Sequence, residues 1–517
     1  MNTFLKYILL SFLLVSSSCS SEDGFVTDGQ SPRNALVLTV SAGDFVTAGS
    51  PATRAADNGA TTTFENGDKV GVIILDGSGN LLSNNIPYKY NGVSWQFDDS
   101  NGEGKTQCYY DSQAKTYIVY YPYSTTADNI TSEAGLKGKF APKNDQSSKE
   151  DYRASDLLVW TSSGSSLKKL TVELKHAYAS VFVSPNVKYQ LANGEDFTYV
   201  SSLISDVSLT VNNNTCTPYP DGNGSYRFIL PADFTTGDVS CLFTFDSKKY
   251  SSTVSPSVPV SANTRYTFVP TVNGGEYKLD KAQMGDFYCG SSDGSIGYLI
   301  PRDIISLPAD VICLGVVLKA GKEDSGDWKD DCQYKLKDTD TDMNTIHGYV
   351  LALKNADVGS SCVWGSEGTS VVYEVGGTDM MNRERYTGFY GYKNTQAIIL
   401  FNQGKGGTLS SAFPAAYYAT TDYESKYAAP ANSSGWFLPS AGQCKYWVLN
   451  KDILKSSMDK AGGDGWFDYY WSSSEESDGP TLFAWYMRSV YDDISESIDL
   501  TAKSDDEDMN LRSCLAF

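Results

Sequence analysis

The sequence predicts a mainly β chain of several domains, and three observations carry that reading. Short aliphatic and aromatic runs recur between Gly, Asn and Pro breakers, a pattern of β-sandwich strands with few helical stretches. Tyr (35) outnumbers Phe (22), and Tyr- and Thr-rich segments favour pleated structure. At 517 residues the chain exceeds what one core holds, and at roughly 150 residues per domain about three are expected. Hydrophobic residues make up 41% and charged residues 20%, a globular balance.

Taken in order, Lys6 precedes an apolar run, Tyr7–Val15, too short to span a bilayer and suited to a signal-peptide core. Ser16-Ser17-Ser18-Cys19 follows and resembles a bacterial lipobox, with Val15 one place early for the strict pattern. Ser20-Ser21-Glu22-Asp23 resembles the acidic surface-export tag of Bacteroidetes lipoproteins. Residues 1–18 thus read as a lipoprotein signal peptide, Cys19 as the lipidated residue and 19–33 as a tether. An ordinary signal peptide with a chance Cys is the alternative. Each buried methylene of an acyl chain contributes roughly 0.8 kcal/mol, so several chains hold a protein firmly to a membrane.

Asn34–Ser41 is the first strand, placing Leu36, Leu38 and Val40 on one face and Val37 and Thr39 on the other. A loose small-residue stretch, Ala42–Thr63, holds Arg54. Phe64-Glu65-Asn66-Gly67-Asp68 makes a turn into the strand Lys69–Leu75. Further strand signals lie at Tyr88–Phe97, Lys115–Tyr123, Leu170–Asn186, Tyr199–Val211, Tyr226–Leu230, Ser240–Phe245 and Thr264–Val269, with a Ser/Gly-rich break at Thr161–Lys169. Near the other end, Ala441–Lys460 carries Trp447, Leu449, Ile453, Leu454 and Met458 at spacings that suit an amphipathic helix.

Composition excludes several functions. The formal charge of −21 (41 basic against 62 acidic residues) repels nucleic acid and anionic membranes. The chain has only two histidines, His176 and His347, and neither a G-x-S-x-G elbow nor a phosphate loop, so an enzyme is not expected. No cofactor is implied. Asp338, Asp340 and Asp342 mimic an EF-hand start, but Met343 and Tyr349 stand where Gly and Glu are required. Asp505–Asp508 reads as a solvated acidic loop, with calcium ligation as the alternative. Besides Cys19, nine cysteines remain, and sequence does not choose their pairing. The absence of a C-x-x-C pair or His/Cys cluster argues against zinc.

Two resemblances sharpen this. Thr53-Arg54-Ala55, Phe64–Val72, Tyr120-Tyr-Pro-Tyr123, Tyr152–Leu158 and Leu174–Val183 together resemble the fimbrillin family, the type V pilins and minor subunits of Bacteroidetes. The resemblance implies two transthyretin-like β-sandwiches, at residues 34–168 and 169–275. It further implies cleavage at an arginine after the first strand, here Arg54, with Arg33 and Arg153 as alternatives. Leu36, Leu38 and Val40 would then belong to a removable strand, replaced by one donated from another pilin subunit. Physically, a missing strand exposes unpaired backbone beside an apolar groove, and an added strand repairs both.

Residues 276–517 are similar to C-type-lectin-like modules of Bacteroidetes surface lipoproteins. The wording that carries this is His347–Ala356, Phe413–Ala419, GWFLPS (Gly435–Ser440), YYWSSSE (Tyr469–Glu475) and LRSCLAF (Leu511–Phe517). It implies an α+β module that presents a binding face. Trp436 and Trp471 fall in the recurrent motifs and read as core, while Trp485 and Tyr486 are candidates for a ligand face. The combined expectation is a fimbrial tip adhesin at the outer membrane and cell surface. It is exported as a lipoprotein, accepts a donor strand and binds a host or bacterial glycan or protein. A permanently lipidated anchor or stand-alone surface lipoprotein is the second reading. An enzyme on a formylglycine-generating-like fold is the third.

Overall fold

Alternating burial builds the first sheet. The computed structural model describes residues 34–48, 62–164, 166–232, 234–254, 257–359, 361–371, 388–476, 479–489, 497–505 and 508–517. Cys19 and Arg54 lie outside the described residues. The chain is mainly β and divides into two units. Neighbouring strands of the first unit run, in spatial order, Val37–Ala42, Lys169–His176, Leu158–Ser163, Ala114–Tyr121, Lys69–Asp76, Leu81–Tyr90 and Trp95–Phe97. Leu170, Val172 and Leu174 alternate inward along the second of these, beside Leu38 and Val40 of the first, with Leu36 just ahead of it in the same core. The sheet curls, since Trp95 on its last strand donates its indole N–H to the Val40 carbonyl at 3.2 Å.

The Phe64–Asp68 turn explains its own motif. Gly67 has φ +104°, a conformation only glycine adopts freely, and its N–H reaches the Tyr90 carbonyl at 2.8 Å. The Asp68 carboxylate accepts from the Glu65 N–H (2.7 Å) and the Tyr121 hydroxyl (3.2 Å). Phe64 sets its ring edge-on to Trp95 and Tyr121, 4.9 and 5.3 Å away.

Two expected boundaries move. The first unit does not stop at residue 168: Lys169–Lys175 stays in its sheet, and Phe140–Leu157 belongs to the second unit. The run Leu170–Asn186 is two strands, Lys169–His176 and Ala179–Val183, in different sheets. Nor does the core break at residue 276, because one apolar cluster runs from Ala179 to Phe517.

Within the second unit, a five-stranded sheet orders Tyr219–Gly222, Ser225–Leu230, Ala179–Val183, Thr264–Phe268 and Val46–Thr47. A four-stranded sheet (Asn214–Cys216, Ser205–Val211, Val239–Phe245, Lys248–Thr253) contributes Leu209, Cys241 and Phe243 to the same core. Beyond it, a second five-stranded sheet orders Gly297–Ile300, Phe287–Gly290, Ile312–Ala320, Gly348–Ala352 and Cys514–Ala516. Helices Gly391–Gly404 and Ala441–Leu449 pack on a four-stranded sheet that carries Tyr469–Glu475, while Lys451–Lys460 packs on the strand Ile312–Ala320.

The segment Ala441–Lys460 is two helices rather than one. Asn450 leaves helical geometry (φ −117°, ψ 22°), and its N–H ends the first helix on the Trp447 carbonyl. Ser440 starts that helix with a capping box: its hydroxyl accepts from Gln443 N–H (3.3 Å), and the Gln443 side chain accepts from Ser440 N–H (2.9 Å).

Arg512 bolts this region from inside. Its fully buried guanidinium donates to the Asn355 side chain (2.8 Å), the carbonyls of Asp464 (3.0 Å) and Gly465 (3.2 Å), and the Met458 sulfur (2.9 Å). Trp447 and Tyr470 lie alongside. Arg512→Ala takes a donor from each of three oxygen acceptors and leaves a void. It is expected to cost about 3 kcal/mol or more, read as a lower urea midpoint; an unchanged midpoint would rule out this role.

Candidate functional site

Two strands differ in how firmly they are held. The first, Val37–Ala42, lies at the end of its sheet and pairs in parallel with Lys169–His176, from Val37 opposite Lys169 to Ala42 opposite Leu174. Leu36, Leu38 and Val40 are 3, 5 and 8% exposed, whereas Val37 between them is 56% exposed. Burying each such side chain contributes about 1.5–3 kcal/mol. These three pegs and one backbone ladder hold the strand, with a bridge from Ala35 to Tyr109 ahead of it.

Past Gly43 the chain joins the second unit. Val46–Thr47 pairs with Thr264–Arg265, and Phe45 stacks on His176 with ring centroids 3.5 Å apart. His176 is buried and holds the Asp156 carboxylate at 2.7 Å through Nδ1, so this histidine is a packed, bonded core residue.

The other strand, Cys514–Ala516, is bonded along both edges. On one side it pairs antiparallel with Tyr349–Leu351, continued by His347 N–H to the Phe517 carbonyl at 2.6 Å. On the other, Phe437 and Cys514 exchange both backbone hydrogen bonds (2.8 and 2.9 Å). Ser434 takes up both backbone groups of Ala516, its N–H donating to the carbonyl and its hydroxyl accepting from the N–H, each at 2.9 Å. Cys514, Leu515, Ala516 and Phe517 are all buried.

The aromatic candidates separate. Trp436 and Trp471 are buried, and the Trp471 indole donates to the Cys362 carbonyl at 2.7 Å. Trp485 is half-buried. Tyr486 is only 7% exposed, packed edge-on to Tyr469 and Trp471, with its hydroxyl accepting from Arg488 at 2.9 and 3.0 Å. It therefore offers no ring to a ligand, which corrects its place on the expected face.

A cleft that the sequence did not announce lies beside the D-x-D-x-D segment. It encloses about 890 Å³ and is lined by Lys335, Asp338, Asp340, Tyr392, Gln396 and Leu400, among others. Lys335 pairs with Asp340 at 3.0 Å and Lys337 with Asp338 at 3.9 Å, so the acidic run is a salt-bridged turn. Among the described residues, no group of three or more His, Cys, Asp or Glu side chains could hold a metal ion. A further charge pair, Lys503 with Glu475, is buried beneath Trp364, the Lys503 amine lying 4.4 Å from the ring centroid.

Asp286 borders a second cavity of about 520 Å³, lined also by Tyr189, Arg302, Asp303 and Lys460. Its carboxylate accepts from Tyr277 hydroxyl (2.7 Å), Gln283 N–H (2.8 Å) and Arg302 N–H (2.9 Å). Burial outweighs these bonds and raises its pKa from 3.8 to about 6.

Residues 53–286 match the family described as fimbrillin-like. The chain is 25% identical to a Bacteroides ovatus protein named as fimbrium tip subunit Fim1C, over 94% of this chain and 95% of that protein. Among solved structures, a fimbrial protein from Bacteroides ovatus aligns over 94% of this chain and all of its own, at 18% identity and a TM-score of 0.37. A protein named as a cell adhesion protein, from Bacteroides uniformis, aligns over 47% of this chain and 94% of its own, at 18% identity and a TM-score of 0.32. No helix among the described residues is long and apolar enough to cross a membrane.

Two outcomes follow from this geometry. Leu38→Asp places a charge in the seat of the first strand and is expected to destabilise the uncut chain by about 3 kcal/mol. In a chain beginning after residue 54 the position is gone and the cost disappears, so equal denaturation curves for uncut parent and variant would contradict the described seat. Asp286 binds its proton more tightly folded than unfolded, so its contribution favours folding below pH about 4 and is lost as pH rises through about 6. Parent minus Asp286→Asn stability, followed by urea titration, should fall across that window by up to about 3 kcal/mol; a flat difference would refute it.

Proposed function

We propose that the chain is the tip subunit of a fimbrium. It is exported through the lipoprotein route with Cys19 acylated, cut at Arg54, and then accepts a donor strand from the next pilin where Leu36, Leu38 and Val40 had been seated. One observation carries the reading: the strand Cys514–Ala516 is hydrogen-bonded along both edges and buried on its faces. A subunit that extends a fibre must lend a strand, and a strand so enclosed cannot leave without exposing its backbone, at roughly 1–3 kcal/mol for each orphaned group. The first strand, with a single ladder, is the one built to be replaced. A chain that accepts but does not lend ends a polymer. The full-length likeness to a protein named as a fimbrium tip subunit supports this.

The region from residue 276 onward is the ligand-carrying, C-type-lectin-like part in this reading. Its cleft at Lys335–Asp340 and Tyr392–Leu400 is better formed for a ligand than the surface at Trp485. The competing reading, a permanently lipidated anchor, draws on the same first strand. With three buried pegs it is well seated until a protease intervenes.

N-terminal sequencing of the protein in isolated fimbriae should begin at Ala55, and immunogold should mark one free end of each fibre. Arg54→Ala should keep the first strand and abolish incorporation. An intact acylated Cys19 in mature fibres, or label at the fibre base, would instead establish the anchor.

A further inference from the structure

We propose that Cys289 and Cys313 are a disulfide pair in the exported chain; the location rests on the export reading above, the pairing does not. The two residues face each other on antiparallel neighbours, Phe287–Gly290 and Ile312–Ala320, in the register Tyr288–Gly315, Cys289–Cys313, Gly290–Ile312. Directly opposite residues on such strands have Cα atoms about 4.5–5.5 Å apart and project to the same side, within the roughly 4.4–6.8 Å that a disulfide spans. A bulge at this point sets the register, leaving Leu314 as the extra residue. The thiols are direct neighbours: burial first, and then the Cys313 thiol, push the Cys289 thiol well above its ordinary value.

Access is asymmetric. Cys289 is fully buried, whereas Cys313 is half-exposed beside the exposed Ile312. Exchange therefore starts at Cys313. Its thiolate attacks a small or protein disulfide and expels one thiolate, leaving a mixed disulfide on Cys313. The Cys289 thiolate then attacks the Cys313 sulfur and expels the second. Two protein thiols become one disulfide, the oxidant's disulfide becomes two thiols, and the protons pass to the expelled thiolates.

The bond closes the loop containing the edge strand Gly297–Ile300. Tension entering the region through Phe287 would then pass straight into Ile312–Ala320, the sheet's central strand, without peeling that edge. For a subunit loaded along a fibre, this is a covalent clamp at the root of the ligand-carrying region.

Trypsin separates the two cysteines into Ala282–Arg302 and Asp303–Lys319, one in each peptide. The full chain, reduced in denaturant and refolded in reduced and oxidised glutathione, should yield these peptides as one species that splits on reduction, and its thiol count should fall by two. Cys313→Ser should abolish the species, whereas Cys444→Ser should preserve it. Both peptides alkylated without reduction in chain that has regained its circular dichroism, or either joined to a third cysteine, would overturn the pairing. Recovering the bond by refolding while cells hold the chain reduced would overturn the exported location and leave the pairing intact.

Discussion

Between Ser434–Phe437 on one side and Gly348–Ala352 on the other, the strand Cys514–Ala516 exchanges backbone hydrogen bonds along both edges, and much of the second unit is arranged around that exchange. Just before the strand, Arg512 directs its donors to Asn355, Asp464 and Gly465, tying two separated segments to its root. Just after Phe437, the capping box at Ser440 fixes where the first of the paired helices begins. Gly348 must lack a side chain, since a Cβ there would meet the Lys319 carbonyl at 2.7 Å and the Phe517 ring at 2.9 Å. The strand is therefore a structural keystone whose extraction would unsatisfy many groups at once.

The first strand is held on different terms. Its attraction is mostly apolar and comes from side chains that alternate inward, so in the proposed exchange an incoming strand would need aliphatic residues at the same period. Backbone pairing adds affinity without specifying sequence. In that proposal the seat would be permissive about its occupant, whereas Cys514–Ala516 is enclosed by segments of its own chain.

Much of the fold was legible because β-strands write themselves in a period of two. Leu36, Leu38 and Val40 declared their common face, and Phe64–Asp68 declared a turn through Gly67 and Asp68. What alternation does not encode is the sheet a strand joins. Lys169–His176 and Ala179–Val183 read as one run, yet they serve different units, because tertiary pairing sets that choice. The helix break at Asn450 was missed since residues on both sides suit a helix. The pairing of Trp485 with Tyr486 as a joint surface ignored the same period of two: neighbours on a strand point to opposite faces, and here Tyr486 points inward. The cleft beside Lys335–Asp340 was hidden because its walls come from segments far apart in the chain.

The stacking of Phe45 on His176 has a practical side. The chain contains two imidazoles, so its histidine proton spectrum holds few signals, and one of them lies in the ring current of a phenylalanine nine residues ahead of Arg54. Scission at that arginine followed by release of the leader would carry the phenyl group away and move the resonance. The ratio of the two peaks would then gauge how much of a preparation is mature, without antibody or sequencer.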